Sequence, residues 1–241
     1  MSYVKKMLSG ACNALGDFLM PRTCAICGEK LPKGRMIVCD RCFLQLPRTG
    51  LQSMPEDNEM TDRIAVLTVP VKACAWIYYL PDEPSAELIR YAKYHGMPAL
   101  AYRLGRNYAT ELRDGGFDPE SDVLLPVGMH RLKEFRREYN QASEIAKGMS
   151  DVWGIPVGMN IKAKKGHSTQ THKNAEQRSR NISGVFTIEH PEELDGRRLA
   201  IVDDIVTTGA TLSECIRTIL IVCRPLSITV LTIGLTRLRQ N

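Results

Sequence analysis

The chain has 241 residues, 32 Lys and Arg against 27 Asp and Glu, a net charge of +5, and 44% hydrophobic and 24% charged residues. That length accommodates one sizeable α/β domain plus a small module, in a composition ordinary for a globular protein and unlike a disordered or fibrous one. The basic excess suits a phosphate-rich ligand or weak nucleic-acid contact without requiring either, and no run approaches the ~20 apolar residues of a membrane span.

In chain order, residues 1–20 place Val4, Met7, Leu8, Ala11, Leu15 and Phe18 at helical spacing. Asn13 and Asp17 interrupt the apolar stretch, so an amphipathic helix is expected rather than an export signal, and the protein is expected to be cytoplasmic. Residues 21–47 hold a cysteine module, and the polar stretch 48–70 is expected to be a linker. From residue 71 to 241 the pattern becomes regular. VKACAWIYYL reads as a strand. SAELIRYAKYHG and PALAYRLGRNYATELRDGG read as helices, divided at Gly96-Met97-Pro98 and closed by Gly115-Gly116. DVLLPV is a short buried strand, and a helix is expected over about 140–149. Residues 165–181 are polar throughout with no core face, which suggests a lid. GVFTI, RLAIVDD and SITVLTIGLTR are strands, and ATLSECIRTILIV is a helix. Strands alternating with helices imply a mostly parallel sheet covered by helices.

Of eight cysteines, Cys24, Cys27, Cys39 and Cys42 form two C-x2-C pairs separated by eleven residues. Four thiolates from two tight turns suit a tetrahedral, closed and therefore structural Zn²⁺ site. Disulfides or unliganded core thiols would not need this spacing. Cys12, Cys74, Cys215 and Cys223 stand singly in apolar surroundings and read as small buried hydrophobes.

The stretch LAIVDDIVTTGATL, residues 199–212, joins an apolar strand to a helix through two acids and a threonine-glycine turn. Ligands of open α/β sheets sit beyond the carboxyl ends of the strands. Asp203 and Asp204 are therefore expected to face a crevice. The turn Thr207, Thr208, Gly209, Ala210 and Thr211 opens a helix whose first N–H groups lack intrahelical partners and favour an anion. Two carboxylates would repel a bare phosphate. A sugar 5-phosphate satisfies both halves, with phosphate in the turn and ribose hydroxyls on the acids. An ordinary helix cap would require neither the second acid nor three threonines.

IVDDIVTTGAT resembles the PRPP-binding signature of the type I phosphoribosyltransferases. Joined to the cysteine module, and with FLMPRTCAICG, LIRYAKYHG, LLPVGMHRLKEFRREYNQA and TQTHKNAEQRSRNISGVF, the chain resembles the ComF (competence protein F) family. The resemblance implies an α/β fold with a mostly parallel sheet of the type I phosphoribosyltransferase kind and a small N-terminal four-cysteine zinc ribbon. It implies glycosyl transfer at C1 of PRPP, with Mg²⁺ accompanying the diphosphate and Asp203, Asp204, Gln170 and Arg178 as catalytic residues. Val127, Gly128, His130 and Arg131 would bind pyrophosphate, with Lys133, Arg136 and Arg137 nearby, while Asn140 and Gln141 contact ligand or fix the loop. Gln170, Arg178 and Asn181 lie in the lid at the family's spacing. The chain departs from most relatives at Gly128, where they carry proline, and at Glu138, where they carry glycine. Gly128 is expected to loosen the pyrophosphate turn, and Glu138 to place a carboxylate near a polyanion.

The resemblance also implies a link to DNA uptake and a helicase-like partner. The rival reading is a non-catalytic PRPP or nucleotide sensor whose ribbon holds a protein or DNA. Lys30, Lys33, Arg35 and Arg41 make the ribbon basic, but without an aromatic cluster nucleic acid is the weaker partner.

Overall fold

A computed structural model describes residues 23–24, 26–31, 38–64, 69–94, 97–129, 139–164 and 184–237. The expected helix over 1–20, the lid 165–181 with Gln170, Arg178 and Asn181, and His130, Arg131, Lys133, Arg136, Arg137 and Glu138 lie outside the described residues. The chain divides into two units, Met1–Leu46 and Pro47–Asn241.

The described helices are α1 (Asp40–Leu44), α2 (Glu59–Arg63), α3 (Pro84–Tyr94), α4 (Pro98–Asp114), α5 (Gln141–Trp153) and α6 (Ala210–Val222). The strands are β1 (Val71–Tyr79), β2 (Val123–Pro126), β3 (Ile161–Ala163), β4 (Phe186–Ile188), β5 (Arg198–Val206) and β6 (Ser227–Thr236). Among the described residues β1, β6, β5 and β2 form a sheet in that order, and every pairing in it is parallel. β3 and β4 make a separate antiparallel pair. The apolar runs read as strands are long because a parallel sheet is covered on both faces. β6, for example, is buried from Ile228 to Leu235. On one face α6 contributes Leu212, Cys215, Ile216 and Ile219 to a core with Leu199, Ile201, Ile228 and Val230. Helices α4 and α5 pack against the sheet and against each other. Their crossing depends on two glycines. A Cβ on Gly105 would lie 2.0 Å from the Ile145 carbonyl oxygen, and one on Gly148 would lie 1.9 Å from that of Tyr102.

Two boundaries differ from expectation. Helix α5 continues to Trp153, a turn beyond Met149, and stops where Gly154 adopts φ 70°. The larger difference is the stretch expected as a linker. Its first part is folded into the larger unit and covers the open edge of β1. Tyr78 N–H donates to Pro47 O (2.8 Å), Thr49 N–H to Trp76 O (3.1 Å) and Ala73 N–H to Pro55 O (2.7 Å). An uncovered sheet edge invites mispairing, and a polar segment closes this one through its backbone. Asn58 and Thr61 then form a capping box on α2, and Met60 and Ile64 are buried in the main core. Low apolar content concealed this segment because its work is done by main-chain bonds and two buried side chains.

Candidate functional site

Asp203 and Asp204 lie within β5, not at its end, and Ile205 and Val206 complete the strand. Neighbouring strand residues point to opposite faces, yet both acids line one cavity of about 320 Å³ at the carboxyl end of the sheet. Lys93, Val127, Gly128, Asn140 and Thr211 also line it. The Asp204 N–H donates to Asp203 Oδ1 at 2.8 Å. Lys93, on the last turn of α3, places Nζ 3.1 Å from Asp204 Oδ2, each side chain being 17% exposed. Beneath Asp203, burial and then that carboxylate's charge push the Cys215 thiol well up, so Cys215 is an inert core residue.

Thr207, Thr208 and Gly209 make the turn from β5 into α6. Gly209 is the N-cap at φ 78° and offers no capping side chain. Thr207, Thr208 and Thr211 are exposed, and the Ala210 N–H donates to Thr208 Oγ1 at 3.5 Å. The turn is anchored from behind by Arg63 of α2. Its Nη1 donates to Thr207 O (2.8 Å) and Thr236 O (2.7 Å), and its Nη2 meets Glu59 at 3.1 Å. A Cβ on Gly209 would meet the Arg63 carbonyl oxygen at 2.4 Å. Ser213 Oγ donates to Gly209 O at 3.0 Å.

The opposite wall is the exit from β2. Val127 N–H donates to Val202 O at 2.9 Å, which keeps this exit beside β5. Gly128, expected to loosen the turn, is instead pressed against β3. A Cβ there would lie 2.6 Å from Ile161 O and 2.8 Å from Ala163 N. Here glycine permits close backbone approach. Asn140 and Gln141 fix neighbouring backbone. Asn140 Nδ2 donates to Val127 O (3.0 Å) while Oδ1 caps α5 at Ala142 N (3.0 Å). Gln141 Nε2 donates to Lys93 O (3.3 Å), and the Tyr139 hydroxyl donates to Ala92 O. Sequence reasoning missed Lys93 and Arg63 as parts of this site. The only signal for Lys93 was its place in LIRYAKYHG.

In the smaller unit the Sγ atoms of Cys24, Cys27, Cys39 and Cys42 all lie within 4.8 Å of one another. Cys27 and Cys39 are 3.7 Å apart. Zn–S bonds of ~2.3 Å place tetrahedral sulfurs ~3.8 Å apart, whereas a disulfide requires ~2.05 Å. The first pair sits on a tight turn, where Gly28 N–H donates to Cys24 O (2.9 Å) and Gly28 has φ 71°. The second pair straddles the start of α1, with Cys39 at the N-cap. Burial raises the Cys24 thiol's pKa, but amides of Cys27, Cys39 and Ile26 outweigh it and bring the value to about 6. Burial and bonds from the other three thiols push Cys42 to about 12. The set is closed and sulfur-only, which fits a structural ion.

The family model for the phosphoribosyl transferase domain matches residues 140–234. That stretch of the chain is similar to the domain and makes up less than half of the 241 residues. The acids, turn and helix α6 all fall inside that match, whereas Lys93 and Arg63 precede it. Over 137 residues the chain is 31% identical to competence protein F of Haemophilus influenzae, covering 55% of this chain and 60% of that protein. It is 26% identical over 197 residues to the DNA utilization protein YhgH of Salmonella typhi, covering 79% and 81%. The resemblance to the competence protein F group is met by a relative of that name, although the alignment spans only about three fifths of the Haemophilus protein. Among solved structures, glutamine phosphoribosylpyrophosphate amidotransferase from B. subtilis aligns at TM-score 0.41 and 16% identity, covering 61% of this chain and 30% of that one. That likeness is too loose to carry an argument. No helix among the described residues is long and apolar enough to cross a membrane.

Proposed function

We propose that the phosphoribosyl transferase domain binds PRPP and transfers its phosphoribosyl group at C1 with release of pyrophosphate, in the service of DNA uptake. One observation carries this reading. Asp203, Asp204, Thr211, Val127 and Gly128 line one cavity, which supports a ligand spanning the acids, the start of α6 and the β2 exit. The first-turn amides of α6 and the hydroxyls of Thr207, Thr208 and Thr211 hold the 5-phosphate. The carboxylates accept from the ribose hydroxyls, and their hard oxygen donors fit the Mg²⁺ that PRPP brings with it. Held there by Asp203 and Asp204, the ion would supply positive charge to offset the negative charge of the departing diphosphate. Val127 and Gly128 shape the turn that receives pyrophosphate, and His130 and Arg131 supply cations beside it. Gln170 and Arg178 belong to the segment that excludes water when ligand is bound. The four-cysteine module holds a structural Zn²⁺, which supplies folding free energy to a unit too small for its own core.

Replacing both acids, Asp203→Asn with Asp204→Asn, tests the assignment. Mg²⁺-dependent PRPP affinity falls at least tenfold, to order of magnitude, while the protein stays folded with a melting temperature lowered by the unpaired Lys93. Unchanged affinity would contradict the ribose role. If the intact protein binds PRPP but releases no pyrophosphate with any base or amine acceptor, the sensor reading replaces the enzyme reading. Its ribbon would then be sought on a helicase-like protein partner before DNA.

A further inference from the structure

Asp204 is ion-paired to a residue from outside the matched domain segment, Lys93, at 3.1 Å. The pair joins α3 to β5, and both side chains are largely withdrawn from water. It also lines the ligand cavity instead of the protein surface. An unconstrained lysine would lose considerable rotamer entropy in holding such a geometry. Here the backbone that carries it is held in place. The Tyr139 hydroxyl bonds the Ala92 carbonyl, and Gln141 Nε2 bonds the Lys93 carbonyl at 3.3 Å. Between them, Asn140 ties Val127 and starts α5. Three consecutive residues therefore fasten the end of α3 to the β2 exit and to the beginning of α5. The ammonium also sits on the last turn of its helix, where a cation is favoured.

We propose that Lys93 is a positioning residue of the ribose site. Its ammonium pins Oδ2 of Asp204 and presents the remaining oxygen to a ribose hydroxyl, and Tyr139-Asn140-Gln141 holds α3 in register for that purpose. The proposal rests on the PRPP reading of the cavity. It adds that the binding site is completed by a helix lying before the matched segment. Asp204 is held by the Lys93 side chain, and Asp203 accepts the neighbouring backbone amide.

The test is a double-mutant cycle on the full zinc-loaded chain: wild type, Lys93→Met, Asp204→Asn and the double variant, with Lys93→Arg alongside. Each is titrated calorimetrically with PRPP and Mg²⁺, and each is melted. Lys93→Met weakens binding about tenfold, as loss of one coupled pair does. In the Asp204→Asn background the same change costs less than about twofold, because Lys93 acts through Asp204. Lys93→Arg keeps most of the affinity. Losses that multiply independently would overturn the proposal, since Lys93 would then meet the ligand itself. Lys93→Met with a lowered melting temperature but wild-type affinity would overturn it too, leaving an ion pair that serves only the fold. If the wild type does not bind PRPP, the reading of the cavity fails first and this inference goes with it.

Discussion

Gly209 meets two demands that no other residue satisfies together. Its φ of 78° is a conformation that side chains rarely adopt, and the space where a Cβ would stand is taken by the Arg63 carbonyl oxygen at 2.4 Å. Gly154 shares the positive φ, at 70°, but has nothing within 4 Å. The pair separates backbone strain from loss of the turn. Gly154→Ala lowers stability by about 1 kcal/mol and leaves PRPP affinity untouched. Gly209→Ala costs more and weakens PRPP as well, because the amides that face the phosphate must move. Equal effects of the two on denaturant midpoint and on calorimetric affinity would show that the turn is no anion cradle. Gly128 follows the same logic by another route. It has no positive φ, only β3 backbone at 2.6 to 2.9 Å. A methyl there forces the cavity wall outwards, so Gly128→Ala weakens PRPP even if the fold survives.

At the scale of elements, α2 is the least expected part of the site. Its Arg63 guanidinium is 6% exposed and donates to two backbone carbonyls, Thr207 O and Thr236 O, in addition to meeting Glu59. Removing it withdraws a charged donor from both carbonyls and an ion-pair partner from Glu59. Arg63→Met therefore costs at least about 2 kcal/mol, and in denaturant melts the loss exceeds that of Arg113→Met, whose ion pair is exposed on both sides. Equal losses would mean that the Thr207 carbonyl does not depend on Arg63. These elements also show what a sequence can and cannot disclose. β5, α6 and β6 were legible because each carries a run of apolar residues long enough to set its period, and the acids and threonines interrupt that run in register. The four cysteines were legible because metal ligands need fixed spacing. Arg63 was not, because its partner Thr207 is 144 positions away and the contact is to a carbonyl, which leaves no mark on residue type. Lys93 was hidden for a similar reason, as a lysine on a polar helix face is usually solvated. The role of Gly128 was misjudged because β3, only three residues long, has too short a pattern to announce itself.

For the molecule as a whole, the cavity and the cysteine cluster belong to different units: the cavity residues run from Lys93 to Thr211, within Pro47–Asn241, and the cysteines lie within Met1–Leu46. Metal analysis of the purified protein should return about one zinc per chain, and none after Cys24→Ser with Cys42→Ser. Stripping the zinc with a chelator unfolds the smaller unit, visible as new protease cleavage before residue 47. PRPP affinity stays within about twofold, since the described residues that line the cavity belong to the larger unit. Loss of PRPP binding on chelation would mean that the ribbon completes the site. Absence of zinc would remove the structural role assigned to the four thiols.

The cavity's assignment as a PRPP site is tested most directly by calorimetric titration of PRPP into the zinc-loaded full-length protein, with and without Mg²⁺. Saturable binding at one site per chain, strengthened by Mg²⁺ and lost with Asp203→Asn and Asp204→Asn together, is the expected result. No heat of binding under either condition would contradict it, and would leave a phosphoribosyl transferase fold kept for its surfaces alone.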